Sequence, residues 1–298
     1  MPRLKNIRPQ VTGPYDALQE FLEVCKARNL ADATIEGYRN HAGKIITGET
    51  TTWSDAISGF YTFMSQQGIK ATTYNIRLRN LKVFLNYSHK QGYLQDNPAS
   101  KLKAKRVEPK IVMLDDITLR KLIKAPNRGT FVGLRDYTMI LLALDTGIRP
   151  KEAITLTRDD ICLKTQQVNV RAENAKARVS RVLPISPKTA RAIKQLLNAH
   201  HPEWPNPTVF CSYDGKKLAR STFGRRLQEY SRAAGARIRP YDLRHTFALR
   251  YLKAGGDVFS LQRIMGHSDL KMTSHYIALA PGDIKQMHEK FSPLNFLN

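Results

Sequence analysis

The sequence is poor in cysteine and poor in acid. Its three cysteines, Cys25, Cys162 and Cys211, are odd in number and far apart in 298 residues, a pattern that fits neither a disulfide framework nor a zinc template. Acidic residues number 25 against 48 Lys plus Arg, a formal net charge of +23. A chain so charged repels itself unless a polyanion meets it. Long hydrophobic runs are missing as well. The longest apolar stretches, such as 139–144, fall far short of the ~20 residues that span a bilayer. The opening MPRLKNIRPQ has no apolar stretch of the signal-peptide kind, and neither a Walker motif nor a paired-carboxylate cluster is present. Asp242, Asp257, Asp269 and Asp283 either fall at helix starts or follow glycine, which discounts a two-metal nuclease. The expectation is a cytoplasmic, reduced protein that binds a polyanion, with nucleic acid the first candidate and a membrane surface the second.

What is present begins with charge spread along the whole chain. Residues 1–112 hold 17 basic and 9 acidic residues, net +8, and residues 113–298 hold 31 and 16, net +15. A polybasic tail is therefore not the source. The length suits two domains, and an apolar content of 42% can fill a core in each. Residues 1–12, with Pro2 and Pro9, read as a disordered arm. Apolar residues at three- and four-residue steps then predict four helices within 13–100: one from Tyr15, one over Ala33–Ile46, one over Trp53–Gln67 ended by Gly68, and one over Thr72–Gln91. In the fourth, Tyr74, Leu78, Leu81 and Leu85 form the core face, while Ile76, Val83 and Tyr87 make a second apolar strip. Arg79 and Lys82 lie between the strips and Arg77 at the edge of the core face. Residues 101–112 begin KLKAKRVEPK, too basic and too aperiodic for anything but an exposed linker. Arg77, Arg79, Lys82, Lys101, Lys103, Lys105 and Arg106 are the candidate contacts to a polyanion.

The second domain, 113–282, reads as mainly helical with a small antiparallel sheet. Asp115 and Asp116 are candidate N-caps for a helix over Ile117–Lys124, and an apolar helix marked by Leu134, Tyr137, Leu141 and Leu144 ends at Gly147. Val168–Arg171 and Val179–Ile185 are β-branched and suggest a hairpin with Lys176 in its turn. Helices follow over Pro187–Asn198, Ser221–Ala234 (behind a Ser N-cap), Tyr241–Lys253, Val258–Met265 and Lys271–Tyr276. Four segments place polar residues beside helix ends or turns: TGIRPKEAITL (146–156), NAKARVSRVLPI (174–185), YDLRHTFA (241–248) and MGHSDLKMTSHY (265–276). Singly, each has an ordinary explanation. Arg149 can pair with Glu152, Lys176 can be a surface lysine, Arg244 a structural ion-pair partner, His267 a helix cap and Tyr276 a core residue. His245 is expected to pack beneath the site. His267 and His275 lack metal-ligand spacing.

Together the four segments resemble the boxes of the tyrosine site-specific recombinases, the integrase family of phages, integrative elements and chromosome-dimer resolution systems. TG-x-R-x-x-E runs from Thr146 to Glu152. Lys176 stands eight residues before Pro184, L-R-H-T-F-A spans Leu243 to Ala248, and Gly266-His267 is followed nine residues after the histidine by Tyr276. The resemblance covers nearly the whole chain. It implies a SAM-like four-helix core-binding bundle, a basic linker, and a mixed α/β catalytic domain of the DNA breaking-rejoining type. It also implies a homo-tetramer on two duplexes of double-stranded DNA, with accessory DNA-bending factors in some systems and residues 283–298 docking on a neighbouring protomer. One position departs: Tyr241 stands where the second box usually has histidine.

The residue types suit the implied reaction. Attack on a phosphodiester builds negative charge, which the guanidinium forks of Arg149 and Arg244 can clamp. Tyr276 would attack and store the bond energy as a 3′-phosphotyrosyl link, so neither ATP nor metal nor another cofactor is expected. Lys176 would protonate the leaving 5′ oxygen. A phenol is a poor base at neutral pH, so His267 is a better proton acceptor or hydrogen-bond donor than Tyr241. A catalytically idle recombinase-derived DNA-binding protein and a type IB topoisomerase-like enzyme are the alternatives.

Overall fold

A computed structural model describes residues 13–107, 111–175, 178–205, 207–277, 279, 288–289 and 292–296. The expected arm, Lys176 and most of residues 283–298 lie outside them. The chain divides into two compact units between Pro109 and Lys110, and each is taken by itself.

The first unit holds α1 (Pro14–Ala27), α2 (Asp32–Ala42), α3 (Trp53–Ser65) and α4 (Ala71–Lys90). Helix α1 buries Ala17, Leu18, Phe21, Leu22 and Cys25, the stripe expected from its spacing. Phe21 sits at the hub, its ring 5.4 Å from Tyr38, 5.5 Å from Phe84 and 5.3 Å from Tyr87. Helix α4 buries Tyr74, Leu78, Leu81 and Leu85, while Ile76 and Val83 stay exposed. Thr52 caps α3 by accepting the Asp55 backbone N–H. Among the candidate contacts, Arg77 is turned inward: its Nη1 donates to the Phe63 carbonyl at 3.0 Å and to Gln66 Oε1 at 2.9 Å, and its guanidinium lies over the Phe63 ring. Arg79, Lys101, Lys103, Lys105 and Arg106 are exposed, and Lys82 is half-buried. The start of the linker is strapped to α4. The Asn75 side chain exchanges two 2.8 Å hydrogen bonds with the backbone of Lys105, whose Nζ lies 4.4 Å from the centre of the Tyr74 ring.

The second unit is built on α6 (Phe131–Thr146), which buries nearly its whole circumference and packs against α8 (Pro187–Asn198) and α10 (Pro240–Lys253). Met139, Ile140 and Leu142 are fully enclosed, each worth about 1.5–3 kcal/mol of burial. Around it lie α5 (Asp116–Lys124), a single turn α7 (Pro150–Ala153), α9 (Arg220–Ala233), α11 (Val258–Met265) and α12 (Leu270–Ile277). The sheet is antiparallel in the order β1 (Ile161–Cys162), β2 (Gln167–Val170), β3 (Arg181–Pro184), with Val168 opposite Leu183 and Val170 opposite Arg181.

Several expectations shift by a residue or two at their ends, α2 stops at Ala42, four residues short of the expected Ile46, and three expectations change in kind. Strand β1 and helix α7 have no counterpart in the sequence reading, because two and four residues are too few to show a period. The expected Ser cap of α9 is absent: Ala219 takes that position with no side-chain cap. Asp115 does cap α5 by accepting the Thr118 N–H at 2.8 Å. Asp242 and Asp257 are helix-start residues, accepting the backbone N–H of Arg239 and of Ser260 respectively. No helix among the described residues is long and apolar enough to cross a membrane.

Candidate active site

The site is organised by the C-terminal end of α11. A helix end leaves its last carbonyls without intrahelical partners and carries the negative pole of the helix dipole. Here three consecutive carbonyls meet three arginines from three other elements. Ile264 accepts from Arg181 Nε at 2.9 Å, Met265 from Arg244 Nη2 at 2.7 Å, and Gly266 from Arg149 Nη2 at 2.8 Å. Gly266 ends α11 in the left-handed conformation, with φ +61°, and a Cβ there would stand 3.0 Å from the Arg181 guanidinium carbon. Glycine is thus required both by the turn and by the arginine that closes on it.

Each arginine reaches this end for a local reason. Thr146 closes α6 by donating to the Leu142 carbonyl and accepting the Ile148 N–H. Gly147, at φ +62°, then reverses the chain, and its own carbonyl accepts from Arg244 Nη1 at 2.5 Å. Arg149 follows as the N-cap of α7. Its backbone N–H and Nη1 both donate to the Glu152 carboxylate, at 3.1 and 2.9 Å. Arg181 comes from β3 and donates to both oxygens of the same carboxylate, at 3.3 and 2.6 Å. Burial raises the pKa of Glu152, but the hydrogen bonds and charges of Arg181 and Arg149 outweigh it and hold the carboxyl below its ordinary value. Three guanidiniums facing one carboxylate leave the pocket two positive charges in excess. Burial, then the nearby charge of Arg149, lower Arg244 to about 9, still protonated at neutral pH. Of its five N–H donors, Gly147, Met265 and His267 occupy three, and two have no partner among the described residues.

His267 follows directly, and its partners fix its tautomer. Arg244 has only hydrogens to give, so the 3.0 Å contact makes His267 Nε2 the acceptor, and Nδ1–H donates to Thr273 Oγ1 at 2.9 Å. Burial, Arg244, Arg149 and Arg181 push its pKa down to about 4, so the ring is neutral at pH 7. Its plane lies 7° from that of Tyr276, with centroids 6.3 Å apart.

Tyr276, on α12, is only 5% exposed and packs on Leu249, Leu261 and Met265. Burial raises its pKa, and the charges of Arg244 and Arg149 offset part of that rise. Its hydroxyl meets His245 Nδ1 at 2.8 Å. Tyr241, at the start of α10, is 43% exposed.

The structure therefore gathers four of the expected residues, Arg149, Arg244, His267 and Tyr276, and leaves Tyr241 exposed at the start of α10. Lys176, in the segment between β2 and β3, lies outside the described residues. Sequence reasoning did not single out Arg181, an arginine within a β-branched strand, nor give His245 a place at the Tyr276 hydroxyl. Glu152, read only as a partner for Arg149, also organises Arg181. Among the described residues no group of three or more His, Cys, Asp or Glu side chains is arranged to hold a metal ion.

Residues 113–282 match the phage integrase family, a span of more than half the chain. The chain belongs to the phage integrase family. It is accordingly a tyrosine recombinase by class, with the mainly helical catalytic fold and small antiparallel sheet expected of it. It is 26% identical over 298 residues to the tyrosine recombinase XerD of Listeria monocytogenes serotype 4b, covering 93% of this chain and 99% of that one. Among solved structures it resembles the Tn1549 transposon integrase in complex with transposon right-end DNA (TM-score 0.71, 20% identity, 94% of this chain and 99% of that one). It also resembles a lambda integrase tetramer bound to a Holliday junction (TM-score 0.63, 18% identity, 85% and 76%).

Proposed function

We propose that this integrase-family member recombines double-stranded DNA at specific sites, cutting and rejoining strands through a 3′-phosphotyrosyl intermediate on Tyr276. The observation that carries the proposal is the convergence of Arg149, Arg181 and Arg244 on carbonyls 264–266. An arginine pinned by backbone carbonyls is fixed before the substrate arrives, so it can meet the growing charge on phosphorus without reorganising. Arg149 and Arg244 hold the two non-bridging oxygens. His267, neutral and bonded to Arg244, keeps that fork aimed. Lys176 gives the departing 5′ oxygen its proton. Tyr241 occupies the usual histidine position. Arg79, Lys82, Lys101, Lys103, Lys105 and Arg106 grip the phosphate backbone, whereas Arg77 contributes by holding α4 to α3.

The working assembly is a homo-tetramer on two DNA duplexes, assisted in some settings by DNA-bending factors. Residues 283–298 dock on a neighbouring protomer, and the enzyme acts in the cytoplasm on the nucleoid. The reading is tested by sequencing the DNA around the encoding locus for a core site and placing two directly oriented copies of it on a plasmid. The expected product is an excised circle, made without ATP. Arg244→Lys, which keeps the charge but loses the fork, is expected to lower excision by about 10²-fold or more with DNA binding nearly unchanged. Supercoil relaxation with no exchanged product would instead mark a topoisomerase.

A further inference from the structure

The proton on the Tyr276 hydroxyl needs a destination, and the expected acceptors do not face it. His267 has both ring nitrogens committed, Nε2 to Arg244 and Nδ1 to Thr273. Its plane runs nearly parallel to that of the tyrosine ring, with the centroids 6.3 Å apart. Tyr241 is exposed at the start of α10. What touches the hydroxyl is His245 Nδ1, at 2.8 Å, with the two rings 5.7 Å apart and tilted by 44°. The placement follows from the helix. Arg244 and His245 are consecutive on α10 and therefore point about 100° apart, so Arg244 turns to the carbonyls of Gly147 and Met265 while His245 turns to α12 and Tyr276.

We propose that His245 is the proton acceptor of strand cleavage: as the Tyr276 Oη–phosphorus bond forms and the bond from phosphorus to the 5′ oxygen breaks, the phenolic proton moves to His245 Nδ1. The departing 5′ oxygen takes its proton from the general acid, the role given above to Lys176. In rejoining, His245 returns its proton to the tyrosine. The inference rests on Tyr276 being the nucleophile.

The surroundings suit the role. Burial lowers the pKa of His245, Asp242 raises it, and Arg244 and Arg239 lower it, with a net fall, so the ring is neutral and able to accept at pH 7. The phenol, held above its ordinary pKa by burial, keeps its proton until something takes it. In this chain the pair relieves Tyr241 of a task to which a phenol is poorly suited.

The test is single-turnover cleavage of a nicked site that traps the covalent adduct, at saturating protein. His245→Asn and His245→Gln can still hydrogen-bond the hydroxyl but cannot carry its proton. Each is expected to slow adduct formation by about 10²-fold or more. Replacing Tyr276 in those variants with a trifluorotyrosine, whose phenol ionises near neutral pH, is expected to restore the rate to within about tenfold of the wild-type chain. Rescue is the readout that a packing role would not move. Variants that cleave as fast as wild type, or slow variants that the fluorinated tyrosine fails to rescue, would overturn the assignment. A wild-type chain that forms no adduct would instead overturn the nucleophile on which it rests.

Discussion

At the scale of single residues, the site separates what chemistry demands from what folding supplies. Arg149, Arg244, His267 and Tyr276 stood out only through the resemblance of their four segments to the family's boxes, since each alone has an ordinary explanation. Arg181 and His245 did not. Arg181 looks like any arginine in a strand until β3 is seen to cross the end of α11, and His245 matters only because α12 brings Tyr276 against that face of α10. Lys176 was singled out by the same resemblance, and it lies outside the described residues. The electrostatics of His267 have a consequence for stability. Its folded pKa, about 4, lies below the ordinary 6.5, so as pH falls the unfolded chain takes up the proton first. Its contribution is complete above pH 6.5 and is lost as pH falls towards about 4. Urea unfolding across that range is expected to show wild type losing stability relative to His267→Asn, which has no ring to titrate. Parallel pH curves for the two proteins would contradict the neutral, doubly hydrogen-bonded imidazole.

At the scale of elements, the end of α11 does more than any other feature to position the chemistry. It gathers side chains from α7, β3 and α10 on three successive carbonyls, and it can do so because Gly266 turns left-handed beneath the Arg181 guanidinium. Gly266→Ala is expected to cost about 1–2 kcal/mol for the left-handed backbone alone, more if Arg181 is pushed aside, and to slow cleavage as Arg181 releases Glu152. Denaturant unfolding and adduct formation measured together check this, and an alanine variant indistinguishable from wild type in both would refute it. The long helices were readable because their apolar periods run for several turns, as the buried faces of α1 and α4 show. The elements that escaped reading, β1 and α7, are set by partners instead. β1 exists through its pairing with β2, and α7 through the Arg149–Glu152 capping pair. The cap of α9 failed because the helix already begins at Arg220, which leaves Ser221 inside its first turn and Ala219 at the cap.

At the scale of the whole molecule, the excess of 23 positive charges is spread along the chain, and the active-site pocket holds only a small part of it. The pocket itself holds a surplus of two. Much of the remainder is solvent-facing, including Lys101, Lys103, Lys105 and Arg106 at the start of the linker, where the Asn75–Lys105 strap fixes the chain on α4. If these four engage phosphates, replacing them together with Gln is expected to weaken DNA binding and to flatten its salt dependence by about 0.9 in log–log slope per lost contact. Fluorescence anisotropy across a salt series checks it, and an unchanged slope would remove the linker from the interface. The claim on which the rest depends is that Tyr276 attacks the DNA backbone. Its most direct measurement is denaturing electrophoresis of the protein after incubation with a nicked site labelled on the strand that keeps the 3′ phosphate. The expected result is a labelled covalent band for wild type and none for Tyr276→Phe at equal DNA occupancy; a band that persists in the phenylalanine variant would contradict it.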